Sequence, residues 1–201
     1  MRLYHSPTTP FGRKVMVLIL ETGLAVDIVQ VMGTPIATGT LPTGQNPLGK
    51  IPALELEDGR VLYDSRVITR YLNDLTAAGL YPEGPALWNT LTLEATADGI
   101  VDAGILMAYE VRLRPADKQF PDWIEGQWAK IARALAALEA QWLPHLHGPF
   151  DMGQVAVGCA LAYLDLRHNA RKWRDFAPKL AVWEAGFAQR SAMLATQPPG
   201  Q

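Results

Sequence analysis

The sequence predicts two structural classes in one chain, an α/β N-terminal domain built on a mixed four-stranded sheet and an all-α helical bundle after it. Three observations carry this expectation. Strand-like and helix-period apolar patterns follow one another over the first 77 positions in the order β-α-β, then β-β-α, which suits a small sheet covered by helices. Gly79-Leu80-Tyr81-Pro82-Glu83-Gly84-Pro85 has linker chemistry. Beyond it every apolar pattern has helical period. The predicted boundaries are therefore 1–78 for the α/β domain, 79–85 for the linker and 86–201 for the helical domain.

Positions 1–5 read as a strand. A helix over 10–20 starts with Pro10 in its first turn, carries Val15, Leu18 and Ile19 on one face, and ends at Gly23. Positions 26–32 read as a second strand, and 34–45 as a loop with one turn of helix. Two further strands, 51–56 and 60–63, form a hairpin around Glu57-Asp58-Gly59. Asp64 is placed to cap a helix reaching about position 77, with Val67, Ile68, Tyr71 and Leu72 turned inward. In the second domain helices are expected over 87–112, over 121–143 with a break at Pro144, from 153 to about 166, and over 178–190. Trp128, Ile131, Leu135, Leu138 and Trp142 make the stripe of the second of these. Asp151 and Gln154 have the spacing of a capping box ahead of the third.

Bulk properties narrow the function classes. A chain of 201 residues, 49% hydrophobic and 19% charged, has ample material for a core. A net charge of −2 argues against a nucleic-acid surface or a basic membrane anchor. No apolar run approaches the roughly 20 residues of a membrane span, and the first residues lack a signal-peptide pattern. One cysteine, Cys159, excludes an internal disulfide and a cysteine-based metal cluster. The expectation is a soluble cytoplasmic protein that holds no metal.

The stretch Asn46-Pro47-Leu48-Gly49-Lys50-Ile51-Pro52-Ala53-Leu54 organises the first domain. Pro52 has no N–H for a sheet ladder and belongs at a strand's start, an edge or a bulge. The residues alone allow either isomer of the Ile51-Pro52 bond. A cis bond would leave the Ile51 backbone free to meet a peptide-like ligand. The loop Ser6-Pro7-Thr8-Thr9-Pro10 sets three hydroxyls before a helix N-terminus, where free amides and the macrodipole favour an anion. These hydroxyls could simply cap the helix. They could also hydrogen-bond a bound thiolate and lower its pKa.

Asn-Pro-x-Gly-Lys-Ile-Pro-Ala-Leu, the turn at Glu57-Asp58-Gly59 and Tyr63-Asp64-Ser65 at a helix start resemble the thioredoxin-like domain of cytosolic glutathione transferases, bacterial serine-type and theta-like enzymes in particular. The order of an α/β domain before a helical one extends the resemblance over the whole chain. It implies a cis Pro52, with Ile51 pairing by backbone to the cysteinyl part of glutathione. It implies Lys50 on the glycine carboxylate, and Asp64 with Ser65 on the γ-glutamyl end. Thr9 stands where the family's activating residue precedes a proline, with Thr8 second and Ser6 third. Relatives commonly carry serine there, and threonine is stiffer at χ1. The implied activity is transfer of glutathione's thiolate to a small hydrophobic electrophile, with glutathione as co-substrate, by a homodimer. The rival reading is a non-catalytic binding or regulatory protein of the same fold, similar to stringent-starvation proteins.

In the second domain, Asp98 and Asp102 lie four residues apart and are expected on a solvated or interface-facing helix side, although paired carboxylates could also act as acid and base. The resemblance puts Met107, Tyr109 and Arg112 in the second-substrate pocket. His145 and His147 lack a neighbouring cysteine or carboxylate and read as loop residues. Arg13 is expected to pack its stem or meet a carboxylate, and Cys159 to be an inert core thiol.

Overall fold

The computed structural model describes residues 1–34, 36 and 41–199. It divides into two compact units, Met1–Tyr81 joined by the segment from Ser191 onward, and Pro82–Arg190.

In the first unit the strands β1 (Arg2–His5), β2 (Asp27–Gln30), β3 (Ala53–Glu55) and β4 (Val61–Leu62) form one sheet in the order β2-β1-β3-β4. β1 runs parallel to β2 and antiparallel to β3, and β4 is antiparallel to β3, the mixed sheet expected. Alternation along β1 turns Leu3 and His5 to the buried face. The strands are shorter than their apolar runs: β1 pairs four residues with β2 and three with β3, and β4 pairs two residues with β3. β1 pairs residues 2–5 with 27–30, so 26 and 32 fall outside. Its last partner in β3 is Ala53, opposite Tyr4, which leaves Ile51 and Pro52 ahead of the strand rather than inside it. The hairpin closes by Gly59 N–H to the Leu56 carbonyl at 3.1 Å.

Helix α1 (Pro10–Thr22) has its proline in the first turn, and Gly23 stops it in the left-handed region at φ 66°. Helix α2 (Ser65–Thr76) is capped by Asp64, whose side chain accepts from the Arg66 amide. Its inward face is Ser65, Ile68, Thr69, Leu72 and Asn73, so Val67 is exposed, contrary to expectation. Two polar residues hold that face in place of the valine. Thr69 and the Tyr81 hydroxyl hydrogen-bond at 2.8 Å, and Leu80 N–H donates to Asn73 Oδ1 at 2.8 Å. The expected helical turn within 34–45 lies partly outside the described residues. Over 41–46, turns are closed by Gln45 and Asn46 amides donating to the Pro42 carbonyl.

The second unit is helical. α3 (Ala86–Leu113) and α6 (Met152–His168) pack along each other, and α4 (Pro121–Ala137) packs on α3. Close approach of α6 to α3 requires a glycine, since a Cβ on Gly153 would stand 2.9 Å from Leu93 Cβ. Pro144 does not break the chain's helical path. A single wide π-turn, Leu138–Trp142, follows α4, and α5 (Leu143–Leu146) starts just before the proline, where no intrahelical N–H is needed. The expected capping box is half formed. Asp151 accepts from the Gln154 amide at 3.0 Å, but the Gln154 side chain donates from Nε2 to the Pro149 carbonyl at 2.8 Å instead of accepting from the Asp151 amide.

Helix α7 covers Pro178–Phe187, three residues fewer than expected at its end. The short α8 (Ser191–Ala195) packs on α1 in the first unit. Arg13 makes this attachment. Its guanidinium donates to the Met193 carbonyl at 3.0 Å and to Thr196 Oγ1 at 3.2 Å, so its buried charge meets neutral oxygens and not a carboxylate.

Candidate functional site

Thr9 is the N-cap residue of α1, with extended backbone at φ −88° and ψ 119°. Its amide donates to the Ser6 carbonyl at 3.0 Å and its carbonyl accepts from the Arg13 amide at 2.9 Å, so the loop 6–9 is tied at both ends. An N-cap threonine ordinarily bonds its hydroxyl to the amide of the second or third helical residue. Thr9 makes no such bond. Its methyl takes that place, lying where a Cβ on Gly12 would meet Cγ2 at 2.6 Å. The hydroxyl is thus unused by the helix and, on a half-buried residue, held at the positive end of a 13-residue helix. Ser6 is also half-buried, whereas Thr8 is exposed.

His5 ends β1 directly beneath this turn. The residue is only 8% exposed, and among the described residues its Nδ1 is buried without a hydrogen-bond partner. Burial holds the imidazole below its ordinary pKa and so neutral near pH 7. Leaving such an atom unpaired costs about 1–3 kcal/mol, which an apolar residue of similar size would avoid. Nothing in the sequence pattern marks it except its place at the β-α junction.

Asn46 sets the approach to Pro52. It is 2% exposed, and its Nδ2 donates to the Lys50 carbonyl at 2.9 Å while Oδ1 accepts from the Leu48 amide at 3.0 Å. The Asn-Pro pair was legible as a turn, and asparagine bonding two residues onward is the mechanism of such turns. The second bond, which clamps the carbonyl just before Ile51, is a tertiary feature that sequence reasoning missed. Lys50 projects from the clamped loop as an exposed side chain. The Ile51-Pro52 bond is cis, as the resemblance implied, and so is Tyr63-Asp64. Ile51 is half-buried and Pro52 buried.

Ser65 opens α2 and is 2% exposed. Asp64 accepts from the Arg66 amide at 3.1 Å and from its guanidinium at 3.0 Å. Burial pushes the Asp64 carboxyl up. The hydrogen bond and charge of Arg66, and the positive charge of buried Lys14, outweigh that and hold it below the usual carboxylate range. Asp64 is therefore an anion, with the Ser65 hydroxyl next to it in sequence. Thr9, Ile51, Asp64 and Ser65 all stand at strand or helix starts of the same unit.

The helical unit corrects two expectations, those for the Asp98–Asp102 pair and for His145. Asp98 is buried and Asp102 exposed, each with a polar partner, so the two do not form a solvated pair. Met107 is buried while Tyr109 and Arg112 are exposed. His145 does have a carboxylate nearby, donating from Nε2 to Asp151 Oδ2 at 2.7 Å. No group of side chains suited to a metal ion occurs among the described residues, nor a helix long and apolar enough to cross a membrane. Cys159 is buried.

Comparison with known proteins bears on the fold and the family. Residues 8–75 match the family model described as glutathione S-transferase, N-terminal domain, and residues 121–186 the C-terminal domain model. The chain is 32% identical over 203 residues to the uncharacterized GST-like protein YibF of Escherichia coli strain K12, with 99% of each covered. A crystal structure of a glutathione transferase family member from Pseudomonas fluorescens Pf-5, with bound glutathione, is 46% identical and superposes with a TM-score of 0.96 over 98% of both chains. The same comparison with a glutathione S-transferase from Methylobacillus flagellatus, with glutathione bound, gives 36% identity and a TM-score of 0.88 over 98% of both. With both family models matched in order and a full-length relative at this identity, the chain belongs to the glutathione S-transferase family.

Proposed function

We propose that this protein binds glutathione, stabilises its thiolate and transfers it to a small electrophile. The observation that carries the reading is the Thr9 hydroxyl, released from helix capping and held at the N-terminus of α1. In this reading Thr9 Oγ1 donates to the sulfur, and the helix end adds positive potential. The Ile51 backbone pairs with the cysteinyl unit, and the Lys50 ammonium meets the glycine carboxylate. The Asp64 carboxylate and Ser65 hydroxyl take the γ-glutamyl group. Thr8 and Ser6 are lesser candidates for Thr9's role, Thr8 because it is exposed to water. The glutathione in the Pseudomonas fluorescens and Methylobacillus flagellatus structures supports the choice of co-substrate. The Pseudomonas protein also holds S-(propanoic acid)-glutathione, so electrophiles that leave a short carbon chain on sulfur are the first to assay. A cytoplasmic homodimer is the assembly this reading expects.

Calorimetry with glutathione tests the binding half. Ser65→Ala is expected to weaken binding about tenfold, the equivalent of about 1.4 kcal/mol, without lowering Tm. Equal affinity in both proteins would remove Ser65 from the site, and no binding at millimolar glutathione would end the reading. Asn46→Ala is expected to act differently. Freeing the Lys50 carbonyl and the Leu48 amide should cost about 1–2 kcal/mol of stability and also weaken glutathione, because the clamped loop carries Lys50 and Ile51. A fall in Tm with unchanged affinity would show that the clamp supports the fold alone.

A further inference from the structure

We infer that Gly12 and His5 form a methyl socket that fixes the rotamer of Thr9, and that this socket lets a threonine serve where the hydroxyl must be aimed at a sulfur. The inference rests on the reading of Thr9 as the activating residue.

Threonine carries a methyl and a hydroxyl on one tetrahedral carbon, so fixing one fixes the other. In a helical setting threonine divides between two χ1 wells. At an N-cap, one of its options is to turn the hydroxyl toward the helix amides. Here the methyl occupies that side. The space around Gly12 is closed by two atoms, Thr9 Cγ2 at 2.6 Å and His5 Nδ1 at 2.7 Å from where a Cβ would stand, with His5 Cβ at 3.3 Å. Any residue larger than glycine would collide with both. Gly12 has ordinary helical backbone, so its reason for being glycine is this close approach and not its φ. His5 closes the floor from the end of β1 with an Nδ1 that bonds to nothing among the described residues. The imidazole thus serves by its shape, as a flat wall under the turn. With the methyl seated, Oγ1 is directed away from the helix amides.

The test is a mutant cycle read by the pKa of enzyme-bound glutathione, measured from thiolate absorbance against pH. Gly12→Ala should push the Thr9 methyl out of its seat and raise the bound thiol's pKa by about one unit, near tenfold in thiolate at neutral pH, with glutathione Kd changed less than about twofold. In a Thr9→Ser background there is no methyl to displace, and the same Gly12→Ala change should shift the pKa by less than about a third of that. Should Gly12→Ala fail to fold, His5→Ala removes the floor without adding atoms. It should raise the thiol pKa with threonine at position 9 and leave it nearly unchanged with serine there. Equal shifts in both backgrounds, or none in either, would overturn the socket. The parent reading fails on a separate result: a Thr9→Val enzyme whose bound thiol titrates like wild type. That result would also remove the socket's purpose.

Discussion

Asp151→Ala is expected to destabilise the helical unit by about 3 kcal/mol, lowering Tm by about 10 °C. One buried carboxylate serves three donors there. Oδ1 accepts from the Gln154 amide at 3.0 Å, capping α6. Oδ2 accepts from Thr90 Oγ1 of α3 at 2.6 Å and from His145 Nε2 at 2.7 Å. Loss of the cap alone costs about 1 kcal/mol. The remainder comes from His145, whose Nε2 loses its acceptor, and from Thr90, left with only the longer bond to the Ala86 carbonyl at 3.4 Å. α6 is buried through most of its length, so there is no outer face on which a frayed first turn could be solvated. Thermal unfolding followed by circular dichroism checks this. A Tm within about 2 °C of wild type would mean the three donors find other partners.

Thr9→Val is expected to have the largest effect on activity. Valine keeps the branched shape, so the methyl stays in its seat against Gly12 and only the hydroxyl is lost. Losing one hydrogen bond to a charged sulfur costs about 1.5–3 kcal/mol, or about one to two pKa units. The sign follows from the linkage. A bond made only to the thiolate lowers the thiol's pKa, so its loss raises that pKa and shrinks the thiolate fraction at neutral pH. kcat/KM should fall about 10- to 100-fold near pH 7 and recover toward wild type above pH ~9, where the free thiol ionises unaided. Glutathione affinity at low pH, where the thiol is protonated in both proteins, should be little changed. A uniform loss at every pH would assign Thr9 to geometry rather than to the sulfur's charge.

Local chemistry made much of this molecule legible. Pro10, Gly23, Asp64 and Asp151 each start or stop a helix for reasons that act within a few residues. The Glu57-Asp58-Gly59 turn is similarly local. Strand lengths were not legible, because they are set by the partner: β1 has four residues, so no neighbour extends further on it. The inward face of α2 was misjudged at Val67 because Thr69 and Asn73, both polar, are satisfied by Tyr81 and Leu80 from beyond the helix. Pro144 was read as a breaker because the π-turn ahead of it has no sequence signature. The site's residues were named from motif and resemblance. What supports them, the Asn46 clamp and the Gly12–His5 contact, depends on separations of chain that periodicity does not register.

The central claim is that this fold lowers the pKa of glutathione's thiol with a hydroxyl at the start of α1. The most direct measurement is the ultraviolet thiolate absorbance of glutathione bound to the wild-type protein, titrated from pH 5 to 9 beside Thr9→Val. The account predicts a wild-type midpoint at least about one unit below the ~8.5 of a free thiol, and a Thr9→Val midpoint back near the free value. Saturable glutathione binding with no thiolate below the free thiol's pKa would contradict it.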